Sequence, residues 1–319
     1  MSVLGYRIRA VWAAVCIFAF LIISQVSFAN ELVRGRVTVL MTTYNRANLV
    51  LDAVNSILRQ SYSDFELVIV DDASTDGTFD LLRNSVFDDR VQVYRLNKNV
   101  GMYAASNYAL QRWVTGEYIT WQDSDDTSHP DRLRRQVQHL LAYPVDAVSI
   151  PHENVVTGER YYDQVPEQQS AIPAAFPLRR FSQYRNGLNF SVTRGMFRTH
   201  RVLEVGGFNG RHRISMDSEF VSRFQRLFPS GGISDEALYY WHPRADSLTQ
   251  AIATGMRSPA RRRVFRWMAL DRCVSYLLWN MGAKDAFYES QIQNFYYPGG
   301  IQVEQVWARS QNRLLSAAE

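Results

Sequence analysis

Lysine and cysteine are nearly missing from this 319-residue chain. Of its 35 basic residues only Lys98 and Lys284 are lysines, and its two cysteines are Cys16 and Cys273. So few cysteines exclude a disulfide-stapled scaffold and a cysteine-cluster zinc site. No Gly-x-Gly-x-x-Gly follows an apolar run and no Gly-Lys-Ser/Thr occurs, so the usual dinucleotide and P-loop fingerprints are absent. Basic residues are scattered, Arg261 to Arg263 being the one run, and the net charge is only +4. A nucleic-acid binder concentrates such charge on one face, so nucleic acid is not an expected partner. What is present is ordinary globular material, 46% hydrophobic and 21% charged. The near-exclusive use of arginine suits phosphate recognition, because guanidinium forks match phosphate oxygens, but biased base composition in the genome is the plainer reading.

Arg7 and Arg9 precede an apolar run from Ala10 to Ile23, which Val26, Phe28 and Ala29 extend. Ala10 to Ala29 is just long enough for a spanning helix of roughly 20 residues. Ser27-Phe28-Ala29 also has the form of a secretory cleavage site, and a buried core helix is a third reading. The expectation is a membrane-targeting segment over residues 1–33, anchor or signal, and a membrane-associated protein. Arg34 and Arg36 balance Arg7 and Arg9, which leaves the orientation open.

From residue 37 onward strands and helices alternate. Val37 to Met41, Phe65 to Val70, Val91 to Leu96, Tyr118 to Trp121 and Ala147 to Ile150 read as short buried strands. Between them Ala47 to Arg59, Thr78 to Leu82, Gly101 to Val114 and Pro130 to Leu141 read as helices, with proline at a normal helix start. Such alternation implies an α/β domain with a mostly parallel sheet covered on both faces. Ligands then bind outside the carboxyl ends of the strands. The polar clusters fall there: Thr42, Thr43, Tyr44 and Asn45 after the first strand, Asp71 and Asp72 after the second, Asp123, Asp125 and Asp126 after the fourth. Three loops are expected to converge on one crevice. Carboxylates sharing a site repel unless a cation neutralises them, and an Asp-x-Asp turn offers hard oxygen ligands to Mg²⁺ or Mn²⁺.

These residues carry a family resemblance. Val37 to Arg46, Val70 to Thr78, Asn99-Val100-Gly101 with Ala104 to Asn107, and Gly116 to Asp126 resemble, in order, the motifs of the GT-A glycosyltransferases, closest to inverting family 2. Gly206-Gly207-Phe208-Asn209 and Met216-Asp217-Ser218-Glu219-Phe220 are similar to the acceptor-side motif. The match runs over about residues 35–245. It implies a Rossmann-like GT-A fold, with a catalytic domain at residues 34–250 and a C-terminal helical extension at 251–319. The family assigns Thr42, Tyr44 and Asp72 to the nucleotide, Tyr44 stacking on the base and Asp72 facing it. Asp123 falls near ribose or metal, Asp125 on the divalent ion and Asp217 at the catalytic base, with Glu219 as its rival. His242 stands where some relatives place a metal- or phosphate-contacting histidine. Plainer roles exist for each: a strand end for Thr42, a core aromatic for Tyr44, a turn cap for Asp72, a common acidic surface turn for Asp123 and Asp125, a helix cap for Asp217 and a structural histidine at 242.

The implied reaction is metal-dependent, inverting transfer of one sugar from a nucleoside diphosphate sugar, a UDP-sugar first, to a hydroxyl of a glycan or lipid acceptor. A nucleotidyltransferase would carry a basic Gly-rich loop after the first strand. A non-catalytic binder would keep Asp72 and Asp125 and dispense with Asp217. Residues 152–190, rich in Gln, Tyr and Pro, fall where the family lines its acceptor site, and Asn189-Phe190-Ser191 is a glycosylation sequon. Val264, Met268, Leu270, Val274, Leu277 and Leu278 form one helical stripe, expected to pack on the domain or to lie on a membrane surface.

Overall fold

A computed structural model describes residues 31–161, 191–210, 212–233, 235–247, 250, 258–281, 283 and 298–307. The apolar run at residues 10–29 and Asn189 of the sequon lie outside them. Two compact units divide the chain, Met1–Glu31 and Leu32–Glu319, and all described elements belong to the second. β1 (Val33–Thr43), α1 (Val50–Leu58), β2 (Phe65–Asp71), α2 (Thr78–Ser85), β3 (Val91–Leu96), α3 (Met102–Leu110) and β4 (Gly116–Trp121) follow in strict alternation. β5 (Thr127–Ser128), α4 (Arg132–Ala142), β6 (Ala147–Ser149), β7 (His152–Asn154) and β8 (Arg160–Tyr161) come next. Beyond residue 190 lie β9 (Gly195–Arg198), α5 (Thr199–Glu204), α6 (Met216–Leu227), β10 (Ser230–Gly232), β11 (Tyr239–Trp241), α7 (Pro259–Asn280) and β12 (Val303–Trp307).

Eight strands form the main sheet in the order β10-β6-β9-β4-β1-β2-β3-β12. β1 pairs in parallel with β2 and β4, and β2 with β3. β9 and β12 run antiparallel to their neighbours. All seven residues of β2 are buried, as a central parallel strand requires. Their side chains divide by the period of two: Leu67 and Ile69 join Val39, Met41 and Val93 in one core, while Val68 and Val70 join Leu40, Tyr94 and Ile119 in the other. In α1, Val50, Ala53, Val54 and Ile57 are buried at helical spacing, as the sequence predicts. The chain steps from β3 across to β4 on the far side of β1, so β1 and β4 straddle a topological switch point where a crevice opens. A smaller sheet, β5-β11-β7-β8, stands over that end.

Two features of the C-terminal region depart from expectation. The region is not only helical, because β12 adds an edge strand antiparallel to β3. The apolar stripe of α7 also splits: Val264 and Met268 are buried in the core, whereas Leu270, Val274 and Leu277 are exposed. The stripe therefore reaches the core through Val264 and Met268, while further along the helix Asp271 and Ser275 meet the domain through Arg226. Among the described residues no helix is long and apolar enough to cross a membrane.

Arg132, at the start of α4, is fully buried. It donates to Thr120 Oγ1 (2.5 Å), Gln122 Oε1 (2.9 Å), Ser128 Oγ (2.9 Å), and the carbonyls of Trp121 (3.0 Å) and Thr193 (2.7 Å). One side chain thus ties β4 to β5 and to the 3₁₀ turn at Val192–Arg194. Burial lowers its pKa to about 10, opposed by the Tyr239 and Asp123 charges. Arg132→Leu strands several buried acceptors at once, each costing about 1–3 kcal/mol. The expected loss is about 3 kcal/mol or more, read as a lower urea midpoint at unchanged m-value.

Candidate functional site

The loops after β1 and β2 are stitched together before any ligand is considered. Asn45 N–H donates to Ser74 Oγ (2.9 Å), Thr75 N–H donates to Asn45 Oδ1 (2.8 Å), and Arg46 N–H donates to Thr78 Oγ1 (2.8 Å). Asn45, Ala73 and Ser215 are the non-glycine residues with positive φ, at 52°, 63° and 59° among the described residues; Asn45 and Ser215 line the crevice and Ala73 follows Asp72, which lines it too. Left-handed backbone in non-glycine residues costs energy and gathers at functional sites. Asp72 pins the next loop: its Oδ1 accepts from Val100 N–H (2.7 Å) and its Oδ2 from Gly101 N–H (2.8 Å). Gly101 has φ 89°, a conformation that favours glycine. Burial raises the Asp72 carboxyl to about 6 against those two N–H groups and Arg213.

Thr42, Tyr44, Asp72, Asp123, Asp125, Asp217 and His242, the seven residues singled out from the sequence, all line one cavity of about 960 Å³. Tyr44 is 44% exposed, so it is no core aromatic. Thr42 sits partly exposed at the end of β1. The acidic turn after β4 is crowded. Asp126 Oδ2 accepts from Tyr239 Oη (2.8 Å) and its Oδ1 from His242 N–H (2.8 Å). Asp123 Oδ2 lies 3.4 Å from the same Tyr239 hydroxyl. Burial, then repulsion by Asp126, Asp125 and Asp217, pushes the Asp123 carboxyl well above the usual range. Burial and Asp125 raise Asp126 to about 7. Asp125 faces Arg46, with Nε 3.4 Å from Oδ2. The His242 ring places Nε2 3.1 Å from Thr127 Oγ1, and burial holds its pKa below the usual value.

Asp217 occupies the first turn of α6 and takes a hydrogen bond from Tyr103 Oη on Oδ1 (3.1 Å). Among the described residues nothing donates to its Oδ2. Glu219, the rival carboxylate, points away: it is buried and paired with Arg223 at 2.8 Å. Ser215, just before the helix, is buried, and among the described residues its hydroxyl has no hydrogen-bond partner. Arg213 and Arg261 add cationic wall to the cavity, and Arg213 is held by Asn99 (2.9 Å). Sequence reading did not single out Tyr103, Tyr239, Arg46 or Arg213. The alternation in Tyr239-Tyr240-Trp241 was the available signal for Tyr239, since it turns alternate rings to opposite faces.

His152, on β7, accepts from Arg194 Nη1 on Nδ1 (2.8 Å). Burial, then the Arg194 charge, lowers its pKa to about 4. The unfolded chain therefore binds the extra proton first. The stabilisation is complete above about pH 6.5, falls as pH drops through the window, and is lost below about 4. His152→Gln is expected to flatten the thermal midpoint between pH 6.5 and 4 relative to the native chain, measured by calorimetry across that range.

Residues 38–205 match glycosyl transferase family 2. The chain is 40% identical over 106 residues to a putative teichuronic acid biosynthesis glycosyltransferase, TuaG, of Bacillus subtilis, which covers 33% of this chain and 42% of TuaG. About half the length, or less, of the first curated relatives is spanned in this way. Among solved structures, S. aureus TarS 1–349 in complex with UDP-GlcNAc superposes with a TM-score of 0.58 at 22% identity, over 74% of this chain and 66% of that one. The mannosyltransferase PcManGT from Pyrobaculum calidifontis, in complex with GDP-Man and Mn²⁺, gives 0.50 at 19% identity, over 89% and 86%. At such identities the two structures establish the shared α/β fold, and the sequence match establishes the family. Matched over more than half its length, with its motif residues gathered at the strand ends of that fold, the chain belongs to glycosyl transferase family 2.

Proposed function

We propose that the chain is a metal-dependent, inverting glycosyltransferase that moves a sugar from a nucleoside diphosphate sugar, a UDP-sugar first, to an acceptor hydroxyl. The observation that carries this reading is the meeting of Asp72, Asp125 and Asp217 in one cavity, although two come from separate loops and the third from the first turn of α6. In this reading Thr42, Tyr44 and Asp72 hold the nucleotide. Tyr44 offers its exposed ring to the base. Asp72 acts through the loop it pins, bringing the Val100–Gly101 backbone up to the donor. Asp125 and Asp123 present hard oxygens towards the diphosphate, with His242 beside them.

Among the described residues no group of three or more His, Cys, Asp and Glu side chains is arranged to hold an ion unaided. The donor set itself is the hard oxygens of Asp123 and Asp125 on one turn, which suits Mg²⁺ or Mn²⁺, ions held by one or two carboxylates plus substrate phosphates. A divalent ion bound there supplies neutralisation of the charge that builds on the leaving diphosphate. PcManGT, in its complex with GDP-Man and Mn²⁺, supports the same donor class. Asp217, held by Tyr103 through one oxygen, uses the other to take the proton from the acceptor hydroxyl as that oxygen attacks the anomeric carbon. The same reading assigns residues 34–250 to catalysis and 251–319 to an extension. It assigns residues 1–33 to membrane targeting, testable by fractionating cells that express the chain with and without them.

The test is a panel of UDP-, GDP- and dTDP-sugars with and without Mn²⁺, read as donor hydrolysis and as a shift in thermal midpoint. One UDP-sugar that stabilises the protein only with Mn²⁺ supports the proposal. Indifference to every donor sinks it.

A further inference from the structure

The small sheet carries a second surface of the cavity, away from the acidic turn. β11, β7 and β8 place Tyr239 opposite His152, and His152 opposite Tyr161. Directly opposed residues share a face, and so does Trp241, two residues from Tyr239. Tyr239, Trp241, His152 and Tyr161 thus occupy one face, and all four line the cavity. Tyr239 reaches the acidic turn through its hydroxyl. From there the face runs outward over two strand spacings, about 10 Å, which is enough for a sugar ring beyond the reaction centre.

The chemistry of that outer part is specific. His152 stacks on Tyr161 with centroids 4.8 Å apart and planes within 17°, and Trp241 lies edge-on at 6.4 Å. Arginine can only donate, so its bond to His152 Nδ1 fixes that nitrogen as the acceptor and puts the imidazole proton on Nε2. Among the described residues Nε2–H has no hydrogen-bond partner. Burial and Arg194 keep this ring neutral at physiological pH. Tyr161 is 40% exposed, which for a large ring facing a cavity is a contact surface left open.

We propose that His152, Tyr161 and Trp241 form an acceptor subsite for a neutral pyranose ring, stacked on the aromatic surface and fixed through a hydroxyl that accepts from His152 Nε2–H. The apolar C–H face of a pyranose complements the electron-rich face of an aromatic ring, and a tautomer-locked donor selects the orientation. The inference deepens the transferase reading and rests on it for the word acceptor; the ring-binding surface itself does not. It makes the acceptor a glycan and not a polyol phosphate or a bare lipid alcohol.

Saturation-transfer NMR on the full chain tests this with methyl glycosides of glucose, galactose, mannose and N-acetylglucosamine, and with glycerol 1-phosphate. At least one glycoside is expected to bind, with its C–H protons the most strongly saturated, and glycerol 1-phosphate is expected not to compete. Tyr161→Ala, at an exposed site on the edge strand, and His152→Ala should each weaken that binding at least tenfold. His152→Gln, which restores an N–H donor, should recover part of it. In a transfer assay the same changes raise the acceptor KM tenfold and leave kcat within twofold. Failure of every glycoside to bind, or binding indifferent to Tyr161 and His152, overturns the subsite. Glycoside binding in a protein that ignores UDP and Mn²⁺ keeps the subsite and removes the donor reading, so the two failures are distinct.

Discussion

Asp217→Asn is expected to lower kcat for sugar transfer about 10³-fold, within the usual range for loss of a general base, with donor KM changed less than about twofold. Asparagine has the same shape and keeps an oxygen for the Tyr103 hydroxyl, so the first turn of α6 has no reason to move. What is lost is basicity at the free oxygen. The neighbouring carboxylate cannot take over, because Glu219 is buried against Arg223 at 2.8 Å and lies outside the cavity wall. The measurement is steady-state kinetics with the donor found in the nucleotide-sugar panel, beside the thermal midpoint of the variant. A variant that transfers sugar at the native rate would refute the assignment of the base, and would move the chain towards a non-catalytic role for that carboxylate.

The parts of the site that the sequence revealed are those whose signal is local. β2 reads as a strand because Phe65 to Val70 is apolar but for Glu66 and stops at Asp71-Asp72, and nothing distant alters that reading. Asp72, Asp123 and Asp125 were legible because parallel sheets put functional loops at the carboxyl ends of strands, and strand ends can be found from the pattern alone. The residues that were not legible act over long separations. Tyr239 meets Asp126 across 113 positions and Tyr103 meets Asp217 across 114. Each looks like an ordinary core aromatic in its own segment. Arg132 sits in a helix with Arg134 and Arg135, and composition does not say which of the three turns inward; the fold decides, by presenting six acceptors to one of them. β12 was missed for the same reason. Val303 to Trp307 gains its identity from the open edge of β3, which lies more than two hundred residues earlier.

Asp125→Asn is expected to separate stability from activity. Asp125 is one of the charges that push Asp123 and Asp126 upward, so its carboxylate is a source of repulsion within the acidic turn. Its only ion pair among the described residues is with Arg46, partly exposed and at 3.4 Å, a contact of the kind worth about 0–1 kcal/mol. Relief of the repulsion offsets that loss, and the thermal midpoint of the variant is expected to be equal to or above the native value. Activity goes the other way. Loss of charge stabilisation on a leaving diphosphate removes several kcal/mol from the transition state, about 10³-fold in kcat/KM at roughly 1.4 kcal/mol per decade. The stimulation by Mn²⁺ should vanish with it. A residue kept for folding would show the reverse, a lower midpoint with activity reduced only in proportion. A carboxylate that weakens the fold where it stands has the pattern of a residue whose function costs stability. A variant that is less stable, still stimulated by Mn²⁺ and nearly as active would show that Asp125 serves the fold alone.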